Sequence, residues 1–263
     1  MRIAEYGVEQ GIVIQTRQFF AKLNQSFSQN SLMTNCFPNL ARSITLEYQC
    51  SVALDLYDET DCKTLATQAK EGRHLTVVEN ESNPISVKVN LVEDGYQAWL
   101  PLEKLSTLQP VSEKYKPIAL ARVEIEARLP EIIPYVQAAK EQPNYYLWGG
   151  TLGPNYDCSG LMQAAFAASG IWLPRDSYQQ EAFTERVAIA DLLPGDLIFF
   201  GSKRVDHVAL HLGDRYYIHS SGKTMGRNGI GIDILSPEGD EISQSYYQKW
   251  WSCGRVMGSY RPD

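Results

Sequence analysis

No stretch of the 263-residue chain approaches the roughly 20 consecutive apolar residues that a membrane-spanning helix needs. No basic run stands out: 24 Lys+Arg against 31 Asp+Glu leave a net charge of −7. That balance argues against nucleic acid as a partner and gives no reason to expect adhesion to an anionic membrane. The opening residues lack a signal-peptide pattern; their longest apolar run is Ile12-Val13-Ile14, and no small-residue cleavage site follows it. The expected compartment is therefore the cytoplasm. Cysteine is scarce: Cys36, Cys50, Cys62, Cys158 and Cys253 make an odd number, with neither zinc-knuckle nor disulfide-framework spacing. Reduced thiols are expected. No internal repeat and no low-complexity segment is present.

What is there is ordinary globular material, 44% apolar and 21% charged. Residues 1–44 read as an N-terminal extension, disordered in part. Within it Gln15 to Phe27 would place Phe19, Phe20, Leu23 and Phe27 near one face of a helix. Met33 is an alternative translation start, which would leave the residues before it out of the native protein. Residues 45–109 carry short apolar runs separated by turn signals such as Asp58-Glu59-Thr60-Asp61 and Glu93-Asp94-Gly95, the spacing of a small β-barrel. Residues 110–127 read as a linker. Glu131 to Glu141 predicts a helix with Pro134 in its first turn. From residue 128 onward helices come first and strand candidates follow: Cys158 to Ser169 as a helix closed by Gly170, then strands over Asp196–Gly201, His207–Leu212 and Arg215–His219. This order predicts an α+β domain.

Cys158 sits in Tyr156-Asp157-Cys158-Ser159-Gly160, at the start of the predicted helix. Orphan N–H groups and the helix dipole favour a thiolate there, although Asp157 beside it would oppose ionisation. A buried structural thiol is the plain alternative. Histidine numbers only four. His207, Ala209 and His211 would share one face of a strand and Val208, Leu210 and Leu212 the apolar other, with His219 ending the next strand. A histidine brought to the thiol would act as its base. Zinc fits the pattern poorly, because His207 and His211 on one strand stand about 13 Å apart. His74, far upstream, reads as structural or exposed.

The segments Pro143-Asn144-Tyr145-Tyr146-Leu147-Trp148-Gly149-Gly150-Thr151, Asp157-Cys158-Ser159-Gly160-Leu161, Leu173 to Gln180, Leu193 to Phe200, Asp206-His207-Val208-Ala209 and Tyr217-Ile218-His219-Ser220 together resemble the NlpC-type cysteine peptidases of bacterial cell-wall metabolism. Gly95-Tyr96-Gln97-Ala98-Trp99-Leu100-Pro101 and Leu54-Asp55-Leu56-Tyr57 resemble strands of bacterial SH3-like domains. The layout is similar to that of cyanobacterial-type γ-D-glutamyl-L-diamino-acid endopeptidases. The resemblance implies a papain-like peptidase domain at 128–263, helices packed on an antiparallel sheet, behind a small SH3-like barrel at 45–109. It implies Cys158 as nucleophile, His207 as base and His219 as the residue that orients His207, with no metal and no cofactor. It further implies an oxyanion site at the Cys158 amide, and Tyr146, Ser159, Arg175 and Ser177 along the substrate groove.

The implied substrate is L-Ala-γ-D-Glu-diaminopimelate, a murein-derived peptide with a free amine, cut in cell-wall peptide recycling. Asp157 would hold that amine and Tyr96 would close the same end, so that the SH3-like domain gates the groove rather than binding wall. His211, where many relatives have tyrosine, is read as a bystander. A wall amidase or acyltransferase on the same scaffold, or a non-catalytic wall-binding protein, are the rival readings.

Overall fold

The computed structural model describes residues 46–262; the expectations for the N-terminal extension and Met33 lie outside the described residues. The chain divides into two compact units.

The described part of the first unit comprises residues 46–64, 70–92 and 97–115. It holds the strands Glu47–Cys50, Leu54–Tyr57, His74–Ser82, Ser86–Leu91, Gln97–Pro101 and Leu108–Pro110, which pair antiparallel as the SH3-like sheet. Period-two alternation makes them strands: Leu54 and Leu56 are buried while Asp55 between them is exposed, and Val87, Val89 and Leu91 line the same interior. His74 is structural, its Nδ1 2.5 Å from the buried Glu47 carboxylate.

The second unit holds residues 65–69, 93–96 and 116–263. Two segments assigned from sequence to the SH3-like domain, one of them carrying Tyr96, thus cluster with this unit. The strand Leu65–Ala69 contributes Gln68, whose side-chain oxygen accepts from the Thr151 and Leu152 amides, each at 3.1 Å.

The predicted 131–141 helix is longer than expected: it runs Arg122–Glu141, contains Pro130 as well as Pro134, and takes in the end of the predicted linker. Pro was read as a helix opener because it lacks an N–H. The observed start is instead fixed by Glu124, whose carboxylate accepts the Ala121 amide at 2.9 Å, and by burial of Ile125, Ile132 and Val136 along one side.

A six-stranded antiparallel sheet forms the centre of the unit, in spatial order Glu185–Val187, Trp250–Arg255, Leu197–Gly201, Val205–Gly213, Tyr216–Ser221, Gly229–Ile234. The helix Cys158–Ala168 packs on one face through Leu161, Met162, Ala165 and Phe166 against Phe199, Val208, Leu210 and Ile218. The sequence left the histidine face of Val205–Gly213 open. It is covered: Ala209 packs there with Ile198, Phe200, Tyr217 and Tyr246, the last from the helix Glu241–Gln248. A sheet buried on both faces has no alternation to read.

Candidate active site

The Cys158 helix begins where three segments meet. Asp157 is its N-cap, accepting the Gly160 amide at 2.6 Å. The Asp157 amide in turn donates to the Gly150 carbonyl at 3.0 Å. A Cβ on Gly160 would lie 2.0 Å from that same carbonyl oxygen, so only glycine lets the helix start approach the Trp148-Gly149-Gly150 turn. The backbone amides of Val208 and Ser159 are both directed at the Cys158 sulfur. The thiol therefore meets the sheet one residue from His207.

The histidines form a chain. His207 Nε2 lies 2.7 Å from His219 Nδ1, and His219 Nε2 lies 2.7 Å from Asp233 Oδ2. Asp233 also accepts from Arg227 and from Ser243 Oγ, the latter at 3.2 Å. The ring of Tyr246 lies 4.7 Å from that of His207 and 4.8 Å from that of His219, shielding both from water. All three members, His207, His219 and Asp233, are buried.

Burial sets the protonation states. It pushes the Cys158 thiol up to about 12, with the Asp157 charge adding to the effect; the two backbone amides and Arg175 oppose it without prevailing. This corrects the expectation of a readily ionised thiol, since loss of water outweighs the helix dipole. Burial also carries His207 well below the ordinary histidine range, helped by coupling to the His219 ring and by the Lys249 charge. His219 is lowered by burial as well, against the pull of Asp233. Burial works to raise the Asp233 carboxyl, but hydrogen bonds from His219 and Arg227 outweigh it and hold it far below the usual carboxylate range. The resting site is a neutral thiol beside two neutral imidazoles that end on a carboxylate.

Of the residues expected to touch substrate, Asp157, Ser159 and Arg175 come together in one buried network. Arg175 Nη2 lies 2.6 Å from Asp157 Oδ2 and Nη1 3.2 Å from Oδ1, and Nη1 also donates to Ser159 Oγ at 2.9 Å. Its remaining donors go to Thr67 Oγ1 at 2.9 Å and the Ala66 carbonyl at 3.2 Å. Asp157 further accepts from the Gly149 amide at 2.9 Å. Arg175 is thus no rim residue of a groove: it is 2% exposed, with all its N–H groups used. Asp157, expected to hold a substrate amine, is hydrogen-bonded to Arg175 and to the helix cap. Burial opposes the Arg175 charge, and Asp157 outweighs it.

Tyr96 lies close enough to Arg175 to interact with it electrostatically. Tyr146, half-buried, is near Cys158 and Asp157; burial, then the negative charge a thiolate or the Asp157 carboxylate places beside it, holds its hydroxyl protonated and able to donate. Ser177 is buried at the first position of the helix Ser177–Phe183. His211 is buried with its Nδ1 unpartnered, outside the histidine chain.

Sequence reading missed Asp233, Arg227 and Tyr246. One signal for Asp233 was available. In Gly229–Ile234 the buried positions are Gly229, Gly231 and Asp233, which makes a lone carboxylate on a glycine-lined buried face. Gly231 pairs with His219, and a Cβ there would meet the Arg227 side chain at 3.1 Å; its missing side chain leaves room for the arginine that holds Asp233, which reaches the ring diagonally. Among the described residues no group of three His, Cys, Asp or Glu side chains is arranged to hold a metal ion.

Comparison with known proteins agrees with this architecture. Residues 143–256 match the NlpC/P60 family, and residues 56–105 match the bacterial dipeptidyl-peptidase Sh3 domain. A γ-D-glutamyl-L-lysine dipeptidyl-peptidase of Bacillus cereus is 28% identical over 228 residues, covering 61% of this chain and 68% of that protein. The enzyme of the same name from Bacillus subtilis is 35% identical over 108 residues, covering 40% of this chain and 33% of that one. The chain thus spans about a third of the latter's length. A solved NlpC/P60 family protein from Bacillus cereus is 23% identical, covering 81% of this chain and 64% of that one, with a TM-score of 0.44. Residues 143–256 are thus similar to the NlpC/P60 family, and residues 56–105, ahead of them in the chain, to the bacterial dipeptidyl-peptidase Sh3 domain.

Proposed function

We propose that the protein is a cysteine endopeptidase that hydrolyses the γ-D-Glu–diamino acid bond of murein stem peptides with a free N-terminal L-Ala. The observation that carries the reading is the meeting of the Cys158 sulfur with the strand of His207, whose ring is backed by His219 and Asp233. Two relatives bear the name γ-D-glutamyl-L-lysine dipeptidyl-peptidase, which supports both the bond and release from a free N-terminus.

In this reading Cys158 is the nucleophile and His207 the base. The S–H proton passes to the His207 ring nitrogen not engaged by His219 as sulfur attacks the γ-carbonyl of D-Glu. The amide of Cys158 and the Tyr146 hydroxyl receive the oxyanion. The protonated His207 then gives its proton to the leaving amine of the diamino acid, which departs as the C–N bond breaks. Water, deprotonated by His207, finally cleaves the thioester. Asp157 and Tyr96 are the groups we assign to the substrate's free amine. Since each Asp157 oxygen is already hydrogen-bonded, the ammonium would share Oδ2 with Arg175. The biological setting we assign is recycling of peptides released from the wall, in the cytoplasm.

Mass spectrometry of products from L-Ala-γ-D-Glu-diaminopimelate and its N-acetylated form tests this. The expected result is release of L-Ala-D-Glu from the free peptide, much slower cleavage of the acetylated one, and none by Cys158→Ala. Cleavage at the lactyl–L-Ala bond of intact wall would favour the amidase reading and overturn this one.

A further inference from the structure

The end of the histidine chain carries information that the chain's front does not. A neutral imidazole has one N–H and one acceptor nitrogen, so each ring's hydrogen bonds fix its tautomer. Asp233 is an acceptor only, held ionised by Arg227. Facing it, His219 Nε2 must carry the proton, at 2.7 Å. His219 Nδ1 is then an acceptor, and at 2.7 Å it can only receive a proton held on His207 Nε2. That leaves His207 Nδ1 bare. The carboxylate two rings away thus decides which nitrogen of His207 is basic.

We propose that Asp233, oriented by Arg227 and Ser243, is a positioning residue that sets the tautomers of both His219 and His207, so that His207 offers an unprotonated Nδ1 to the Cys158 proton. This rests on reading Cys158 and His207 as nucleophile and base. When Nδ1 takes the thiol proton, the imidazolium keeps its Nε2–H on His219, and the anion at Asp233 stabilises the new charge through the intervening neutral ring. The proton stays on His207; Asp233 is not protonated.

The anchoring of Asp233 makes this more than a buried pair. Oδ1 takes Arg227 Nη2 and Ser243 Oγ, while Oδ2 takes His219 at 2.7 Å and Arg227 Nε at 3.3 Å. Arg227 is itself steadied by Asp240 at 2.8 Å, and Asp240 caps the helix that carries Ser243 and Tyr246. An asparagine at 233 would therefore keep its oxygen on Arg227 Nη2, the closer of the two guanidinium contacts, rather than on Nε at 3.3 Å. Its NH2 would then face His219 Nε2, which would have to accept. Both rings would invert, and His207 Nδ1 would carry a proton where the thiol's proton must go. The other ionisable groups acting on the two rings are Tyr217, Tyr246, Arg227 and Lys249, with Cys158 and Asp206 bearing on Tyr246. None of them is hydrogen-bonded to His219 in place of Asp233.

With only four histidines, the imidazole nitrogens of the full chain labelled with 15N-histidine are assignable by two-bond 1H–15N correlation. At pH 7.5 the wild-type protein should show both His207 and His219 as Nε2–H tautomers. Asp233→Asn should convert both to Nδ1–H and lower kcat about 10²- to 10⁴-fold with KM little changed. It should also move the acid limb of kcat/KM to lower pH, because the imidazolium loses its anion. A wild-type spectrum with Nδ1–H at either ring overturns the proposal, whether or not the variant folds. So does a folded Asp233→Asn that keeps the wild-type tautomers, kcat and pH profile. If the wild-type protein fails to cleave the tripeptide, the proposed function falls while the spectra still decide the tautomers.

Discussion

Arg175 Nη2 lies 2.6 Å from Asp157 Oδ2, with the arginine 2% and the aspartate 6% exposed. The pair fixes the residue preceding Cys158, and with it the start of the Cys158 helix. Removing one charge strands the other without water. Arg175→Met should cost about 3–5 kcal/mol of stability, and the double variant Arg175→Met/Asp157→Asn less than the sum of the two singles. Urea titrations of the four proteins measure the coupling; additivity would refute it.

Gly160 is where the Asp-Cys-Ser-Gly motif meets hard sterics. A Cβ there lies 2.0 Å from the Gly150 carbonyl oxygen and 3.0 Å from Asp157 Oδ1. Backbone cannot step aside cheaply, so Gly160→Ala should push the Cys158 helix off the turn. The expected outcome is a marked drop in Tm together with loss of thiol turnover; a variant as stable and active as wild type would contradict this contact.

Tyr146, held protonated by burial and by nearby negative charge, is able to donate to an oxyanion. Tyr146→Phe should lower kcat about 10²-fold with little change in KM. A KM effect alone would mean that the hydroxyl serves ground-state binding.

The pH dependence follows from His207 and His219, both depressed by burial. A base that resists protonation keeps working in mild acid, so the acid limb of kcat/KM should lie below the ordinary histidine value of about 6.5. For stability the sign is set by the unfolded chain, which binds these protons first. The neutral rings contribute their full stability above the unfolded value, and that contribution falls as the pH drops below it. Asp233, depressed by its partners, works in the same direction at lower pH. Urea midpoints should therefore decline between pH 7.5 and 5.5; a flat or rising profile would contradict buried neutral rings.

Much of this was legible before folding. Cys158, His207 and His219 stand in short local patterns, and the helix from Cys158 and the strands carrying both histidines were readable from composition, turn residues and the glycine at 170. Three kinds of feature were not. The state of the thiol depends on how much water burial removes, and a local dipole argument gives the opposite sign. The commitment of Arg175 depends on Thr67 and Ala66, more than a hundred residues upstream. The function of Asp233 depends on strand register, which places it diagonally across from His219. The order of residues settles which chemical groups are available and the local elements that present them, because propensity, capping and turn chemistry act over a few residues. Tertiary structure alone decided their protonation, pairing and tautomers, because these depend on burial and on hydrogen-bond partners that only the folded chain brings together.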